Sequence, residues 1–231
     1  VFDFTPAEWT AILLSLRIAV VATLLATPLG IGLAWLLARR NFWGKAFIDA
    51  VIYLPLVLPP VVTGYLLLLT FGRRGLIGEW LADHLGIILS FRWTGAALAC
   101  GVMSFPLLVR PIRLSIDAID TRLEQAAQTL GAPPWRVFLT VTLPLALPGI
   151  LAGMVLGFAK ALGEFGATIT FVSNIPGETQ TISAAIYSLT QTPDGDVAAL
   201  RLVMVSIAIA VIALVMSEVL ARRATKRLHG L

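Results

Sequence analysis

Apolar positions in this chain run together instead of alternating with polar ones. Five stretches, at about 11–38, 47–71, 93–112, 142–163 and 198–221, each hold 18 or more residues with few charges. Runs of that length exceed a buried strand or an ordinary core helix and predict helices that cross a bilayer. The expected fold is therefore all-α, a polytopic membrane helical bundle of about five transmembrane helices forming one domain over 1–231. The segment 177–192 (GETQTISAAIYSLTQT) is more polar and shorter. It predicts an amphipathic helix at the outer face, lying on the membrane or on the protein, with a sixth span as the alternative.

Composition strengthens this picture. Apolar residues make up 58% of the chain and charged ones 13%, against about 25% charged in soluble domains, which excludes a soluble enzyme. The position of the charges then sets an orientation. Arg39, Arg40, Lys45, Arg110, Arg113, Arg122, Arg136, Arg222, Arg223, Lys226 and Arg227 fall on one side, whereas Arg73, Arg74, Arg92 and Arg201 fall on the other. The positive-inside bias places the N-terminus outside and the C-terminus in the cytoplasm. The tail from Arg222 to Arg227 reads as an anchor near anionic lipid. Because Val1 to Thr10 is acidic and the first apolar run is long, no cleavable signal peptide is expected. Arg17 and Lys160 lie within spans near their ends, where snorkelling to the interface is the simplest reading. The single Cys100 lies in an apolar run and reads as packing.

Seven prolines (55, 59, 60, 106, 111, 144 and 148) fall in the cytoplasmic halves of spans under this topology. They fit either kinks around a gate or vestibule, or ordinary helix starts. The longest cytoplasmic loop, about 114–141, holds a helix signal of its own. Asp120 is an N-cap, Thr121 to Leu130 is free of Gly and Pro, Gly131 sits at the C′ position, and Pro133-Pro134 forbid continuation. Leu123, Ala126, Ala127 and Leu130 recur at i, i+3, i+4, i+7 and make one apolar stripe. Such a stripe could fold back on the chain's own spans, lie on the bilayer, or fit a groove in another protein. From Pro134, the residues Trp135, Val137, Phe138 and Leu139 begin a second apolar helix leading into the fourth span.

The run Gln125-Ala126-Ala127-Gln128-Thr129-Leu130-Gly131, followed nine residues later by Val141-Thr142-Leu143-Pro144, resembles the EAA loop of bacterial ABC importer permeases. That pattern is EAA, three residues, Gly, nine residues, Ile, one residue, Leu-Pro. Gln125 stands where the family usually has Glu, with Glu124 one position earlier, and Val141 stands for Ile. The resemblance implies a type I importer permease fold. It also implies that Leu123, Glu124, Gln125, Ala126, Ala127, Leu130, Gly131, Val141, Leu143 and Pro144 form a coupling helix and its continuation, docked in a cleft of a cytoplasmic ATPase.

The segments Tyr53 to Tyr65, Phe71-Gly72, Gly75 to Gly78, Gly163 to Thr168 and Asn174 to Thr179 are similar to the molybdate permease branch of that family. The resemblance implies an inner-membrane permease that moves an oxyanion, molybdate or tungstate, from periplasm to cytoplasm, with sulfate or thiosulfate as the alternative. Implied partners are a second permease copy, two ATPase subunits and a periplasmic oxyanion-binding protein. ATP and Mg belong to the ATPase, and no cofactor, metal or catalytic residue is expected here; nucleic acid is not expected as a partner. Hydroxyls suit weak contact with a passing dianion, so Thr63, Ser104 and Thr168 are candidate path residues. For these hydroxyls a bond to their own helix backbone is the competing explanation. Glu164, which repels an anion, reads as structural or gate-latching, paired with Lys160 at i−4.

Other transport and enzyme classes lack support. A secondary transporter or channel is expected to show paired acidic residues at mid-span and often a repeat. An intramembrane enzyme needs a nucleophile or metal constellation, and His84 and His229 lie in a loop and the tail.

Overall fold

The computed structural model describes residues 4–229, with side chains described through Met216 and at Val219; the basic-tail side chains from Arg222 to Arg227 lie outside the described residues. Twelve α-helices and one π-turn follow one another, and there is no strand among the described residues. Helix α1 (Pro6–Arg39) opens on a capping box. The Glu8 N–H donates to Thr5 Oγ1 and the Thr5 N–H donates back to Glu8 Oε2 at 2.6 Å, satisfying two donors that a helix start leaves free.

The second apolar run is not one straight span. It divides into α2 (Lys45–Val57) and α3 (Pro60–Phe71), bent by 116°. A residue before proline is driven out of the helical region, and here two stand in a row. Leu58 (ψ 145) and Pro59 (ψ 135) are extended, so the helix must stop and restart, with Pro60 at its first turn. After the short α4 (Gly78–Leu85), α5 (Trp93–Asp117) continues through Pro106 and Pro111 and beyond the predicted end of its span. Arg113, which pairs with Asp49 at 2.6 Å and Asp117 at 3.8 Å, keeps this polar turn helical. The prolines thus divide between the two readings, with 59 as the N-cap of α3, 60 and 148 at helix starts, 55, 106 and 111 inside helices and 144 inside the helical segment Pro134–Leu145.

Two short helices, α6 (Thr121–Thr129) and α7 (Pro134–Val137), lead into a π-turn at Phe138–Thr142, then α8 (Leu143–Leu145) and α9 (Leu147–Leu162). Pro144 has no N–H for the Thr140 carbonyl and its ring crowds that carbonyl, the kind of local defect that widens a turn. The entry segment Pro134–Leu145 meets α9 at 68°. The chain closes with α10 (Gly166–Val172), α11 (Ile182–Thr190) and α12 (Asp196–His229). At nine residues α11 spans about 14 Å, against a hydrocarbon core of about 30 Å, so it does not cross. Instead it packs on α1 and α12, burying Ile182 and Ala185 beside Ala11, Ile12 and Leu202, and its Ile182 N–H donates to Ser15 Oγ on α1 at 2.7 Å.

Packing centres on α5, held between α1 and α9. Leu108 of α5 is fully buried where glycines let the backbones approach. A Cβ on Gly30 would overlap the Leu108 side chain, and one on Gly153 would meet the Leu108 carbonyl oxygen at 2.5 Å. Overpacking a tight contact costs about 1–3 kcal/mol. Gly153→Leu is expected to lower the melting temperature of the purified protein by several degrees, measured by tryptophan fluorescence in detergent, while Gly32→Ala, whose added Cβ meets no described atom beyond its own helix backbone within 4 Å, leaves it unchanged.

Candidate coupling site

Helix α6 stands at the end of the bundle where α1 and α5 finish. Asp120 accepts a hydrogen bond from the Arg122 N–H at 2.9 Å, as an N-cap does. At the other end Gly131 adopts φ +85. The Ala132 N–H donates to the Ala127 carbonyl and the Gly131 N–H to the Gln128 carbonyl, at 3.1 and 2.9 Å. This pair of bonds is a Schellman stop, which needs a left-handed residue at C′.

The predicted stripe does not fold back on the spans. No residue of α6 is buried; Leu123 and Leu130 are 51% and 89% exposed, Ala126 is exposed and Ala127 is half-buried. Trp135 and Leu139, just downstream, are 65% and 50% exposed and enlarge the same apolar region. Gln125 also faces solvent, as does Pro144, whereas Val141 and Leu143 are half-buried at the base of the fourth span.

Glu124 differs from its neighbours because its carboxylate turns inward. The Arg39 guanidinium at the end of α1 lies 3.1 Å away, and both side chains are about 14% exposed or less. The Thr142 hydroxyl, in the π-turn, donates to the same carboxylate at 2.6 Å. Arg39 also donates to the Ile119 carbonyl at 3.2 Å, so one ion pair ties α1, α6 and the entry to α9 together. Arg39 and Thr142 carried no such role in the sequence. A carboxylate within a docking stripe is indistinguishable there from one that points away.

The three candidate path hydroxyls, Thr63, Ser104 and Thr168, and Glu164, weighed as a gate latch on the same path, are all buried. Ser104 donates to the Gly101 carbonyl at 3.2 Å and Thr168 to the Phe165 carbonyl at 2.9 Å, the backbone-bonding alternative stated for such hydroxyls. Thr63 is buried and its hydroxyl oxygen has no hydrogen-bond partner among the described residues. It sits where α3 meets α10, beside Gly64, whose added Cβ would lie 2.5 Å from the Ala167 carbonyl oxygen. Glu164 is 1% exposed. It accepts from Lys160 Nζ at 2.8 Å and from the Ala167 N–H at 3.0 Å, so it caps the break between α9 and α10 while neutralising a cation four residues back. Thr63, Glu164 and Thr168 thus gather around the α3–α10 contact, and Ser104 stays on α5.

The described residues thus form an all-helical bundle with long apolar spans, interrupted by a capped amphipathic helix with a bare face. Residues 26–226 match the family of binding-protein-dependent transport system inner membrane components, and the chain belongs to that family; it is a multi-pass inner-membrane protein. The chain is 61% identical over 223 residues to the molybdenum transport system permease protein ModB of Escherichia coli (strain K12), covering 96% of this chain and 97% of the relative. It is 59% identical over 221 residues to the protein of the same name from Haemophilus influenzae, with 96% of each chain covered. The fold is similar to a solved chain of a bacterial ABC transporter involved in the import of alginate, with TM-score 0.71 and 21% identity over 96% of this chain and 80% of that one.

Proposed function

We propose that this chain is the permease subunit of an ATP-driven importer that carries molybdate from the periplasm to the cytoplasm. The observation that carries the coupling half of this reading is the exposed stripe of α6, held rigid by a cap and a glycine stop. An apolar helix face of this kind in an aqueous loop fits a groove on a partner, and near-full-length identity to proteins named for molybdenum transport supports the cargo over sulfate. The chain itself carries out no chemistry. Two cytoplasmic ATPase subunits bind ATP and Mg, a periplasmic protein delivers the oxyanion, and a second permease copy completes the pathway, a two-fold homodimer being the common arrangement.

Force applied to α6 has two routes into the membrane. One runs through α7 and the π-turn into α9, the other through Glu124 and Arg39 into α1. With the N-terminus outside and α6 in the cytoplasm, both routes begin at the inner face. The docking half is tested by Leu123→Asp and Ala127→Arg. Each is expected to reduce co-purification with the ATPase at least tenfold while the permease still inserts; retention of the ATPase by both would sink the assignment.

The cargo is tested by ATP hydrolysis in proteoliposomes holding permease and ATPase, with binding protein loaded with molybdate, tungstate or sulfate. Stimulation by molybdate and tungstate alone is expected. Stimulation by sulfate would move the chain to the sulfate branch.

A further inference from the structure

A groove of about 820 Å³ opens between α1, α2 and α5, with Phe71 at the end of α3 and Leu89 also lining it; no coupling-helix residue, nor Thr63, Glu164 or Thr168, is among its lining residues. Its walls include Val21, Leu25, Val51, Leu98 and Val102, and apart from Thr94 and the Trp93 indole every residue lining it is apolar. Along α1 it runs from Val21 to Leu33, about 18 Å at 1.5 Å per residue, slightly more than half of a hydrocarbon core about 30 Å thick. The groove thus has the length of one acyl chain in one leaflet.

Its end is marked by charge. Arg17, one helical turn before Val21, lies with its guanidinium carbon 3.7 Å from the centroid of the Trp93 ring. Trp93 is the first residue of α5, the position at which tryptophan marks the headgroup level. Arg17 is exposed, and among the described residues no carboxylate lies within ion-pair distance of it. Arg92, also exposed, follows the same boundary as the N-cap of α5. A cation fixed on an aromatic ring, with its donors free, matches a phosphate.

We propose that this groove is a binding site for an anionic glycerophospholipid, with one acyl chain between α1, α2 and α5 and the phosphate on Arg17. Apolar walls alone would suit a helix of a second permease copy as well as an acyl chain, and the arginines at the groove's end favour an anionic occupant. The lipid satisfies both ends at once. Since α2 forms one wall and touches the bundle mainly through α5, the bound chain also supports the arm that leads into the 116° bend.

The test uses the complete permease–ATPase complex, stripped with mild detergent and incubated with dioleoyl phosphatidylglycerol or dioleoyl phosphatidylcholine, bound lipid being counted by native mass spectrometry. About one phosphatidylglycerol per permease chain is expected, retained roughly tenfold better than phosphatidylcholine. Arg17→Gln should erase that preference while assembly and basal ATP hydrolysis stay normal. Gly101→Leu places a side chain in the groove, with no atom nearer than the Ala22 carbonyl oxygen 3.8 Å from the added Cβ, and should reduce retention of both lipids. Equal retention of the two lipids by the unaltered complex, or an undiminished preference in Arg17→Gln, would overturn the proposal. A photo-crosslinker at Leu25, 68% exposed in the groove wall, gives an independent reading: a lipid adduct supports the site, and a permease–permease adduct assigns the groove to a second copy instead.

Discussion

Replacing Gly131 by valine is expected to lower molybdate uptake at least tenfold while the spans still insert. Gly131 holds φ +85 and supplies the Schellman stop of α6. A β-branched residue in the left-handed region costs about 1–2 kcal/mol, more than glycine by that amount, and the chain relieves the strain by unwinding the last turn. Leu130 then moves away from Leu123 and the docking face loses its shape. Because asparagine tolerates this conformation better than alanine or valine, uptake should fall in the order Gly131→Asn, Gly131→Ala, Gly131→Val. Uptake and ATP hydrolysis measured on the same proteoliposomes decide the matter; wild-type uptake by the valine variant would remove Gly131 from the coupling machinery.

The second large effect is expected at Glu124. Glu124→Gln leaves the Arg39 guanidinium without its anion in a site where both side chains are about 14% exposed or less. Loss of one member of a largely buried pair costs on the order of 1–3 kcal/mol. The brace from α6 to α1 is expected to loosen and the ratio of ATP hydrolysed to molybdate moved to rise severalfold. Thr142→Val, which removes one donor at 2.6 Å, should give a smaller change in the same direction. Replacing both members, as in Arg39→Met with Glu124→Met, leaves no orphaned charge and should restore thermal stability. If it also restored the ratio, the pair would be a packing element; stability without coupling would make it part of the transmission.

Much of α6 was legible because its signals are local. Cap, periodicity and stop residue all act within a dozen positions, and Asp120, the Leu123–Leu130 stripe and Gly131 carry them on their faces. The spans were legible as apolar runs but not as shapes. Hydropathy reports how many residues prefer lipid, not the direction in which they run, so 47–71 reads as one span although Leu58 and Pro59 turn it through 116°. Pro59-Pro60 forecast a break, yet the angle also depends on how closely α3 settles on α10 at Gly64. Helix length beyond the apolar run is likewise not in the hydropathy: α5 continues to Asp117, where Arg113 pairs with Asp49 of α2 and with Asp117. Pairs such as Arg39 with Glu124, or Glu8 with Arg201 at 2.8 Å, join residues far apart in the chain and have no local signature.

The bare face of α6 also bears on how the transporter is made. Leu123, Leu130, Trp135 and Leu139 are exposed, and under the proposed topology they face the cytoplasm, where apolar patches of this sort invite aggregation until something covers them. Under the proposed docking, a permease synthesised ahead of its ATPase displays an apolar surface open to quality control until the ATPase covers it. Subunit stoichiometry can in this way be enforced after translation, with unpartnered permease removed by turnover and the assembled complex spared.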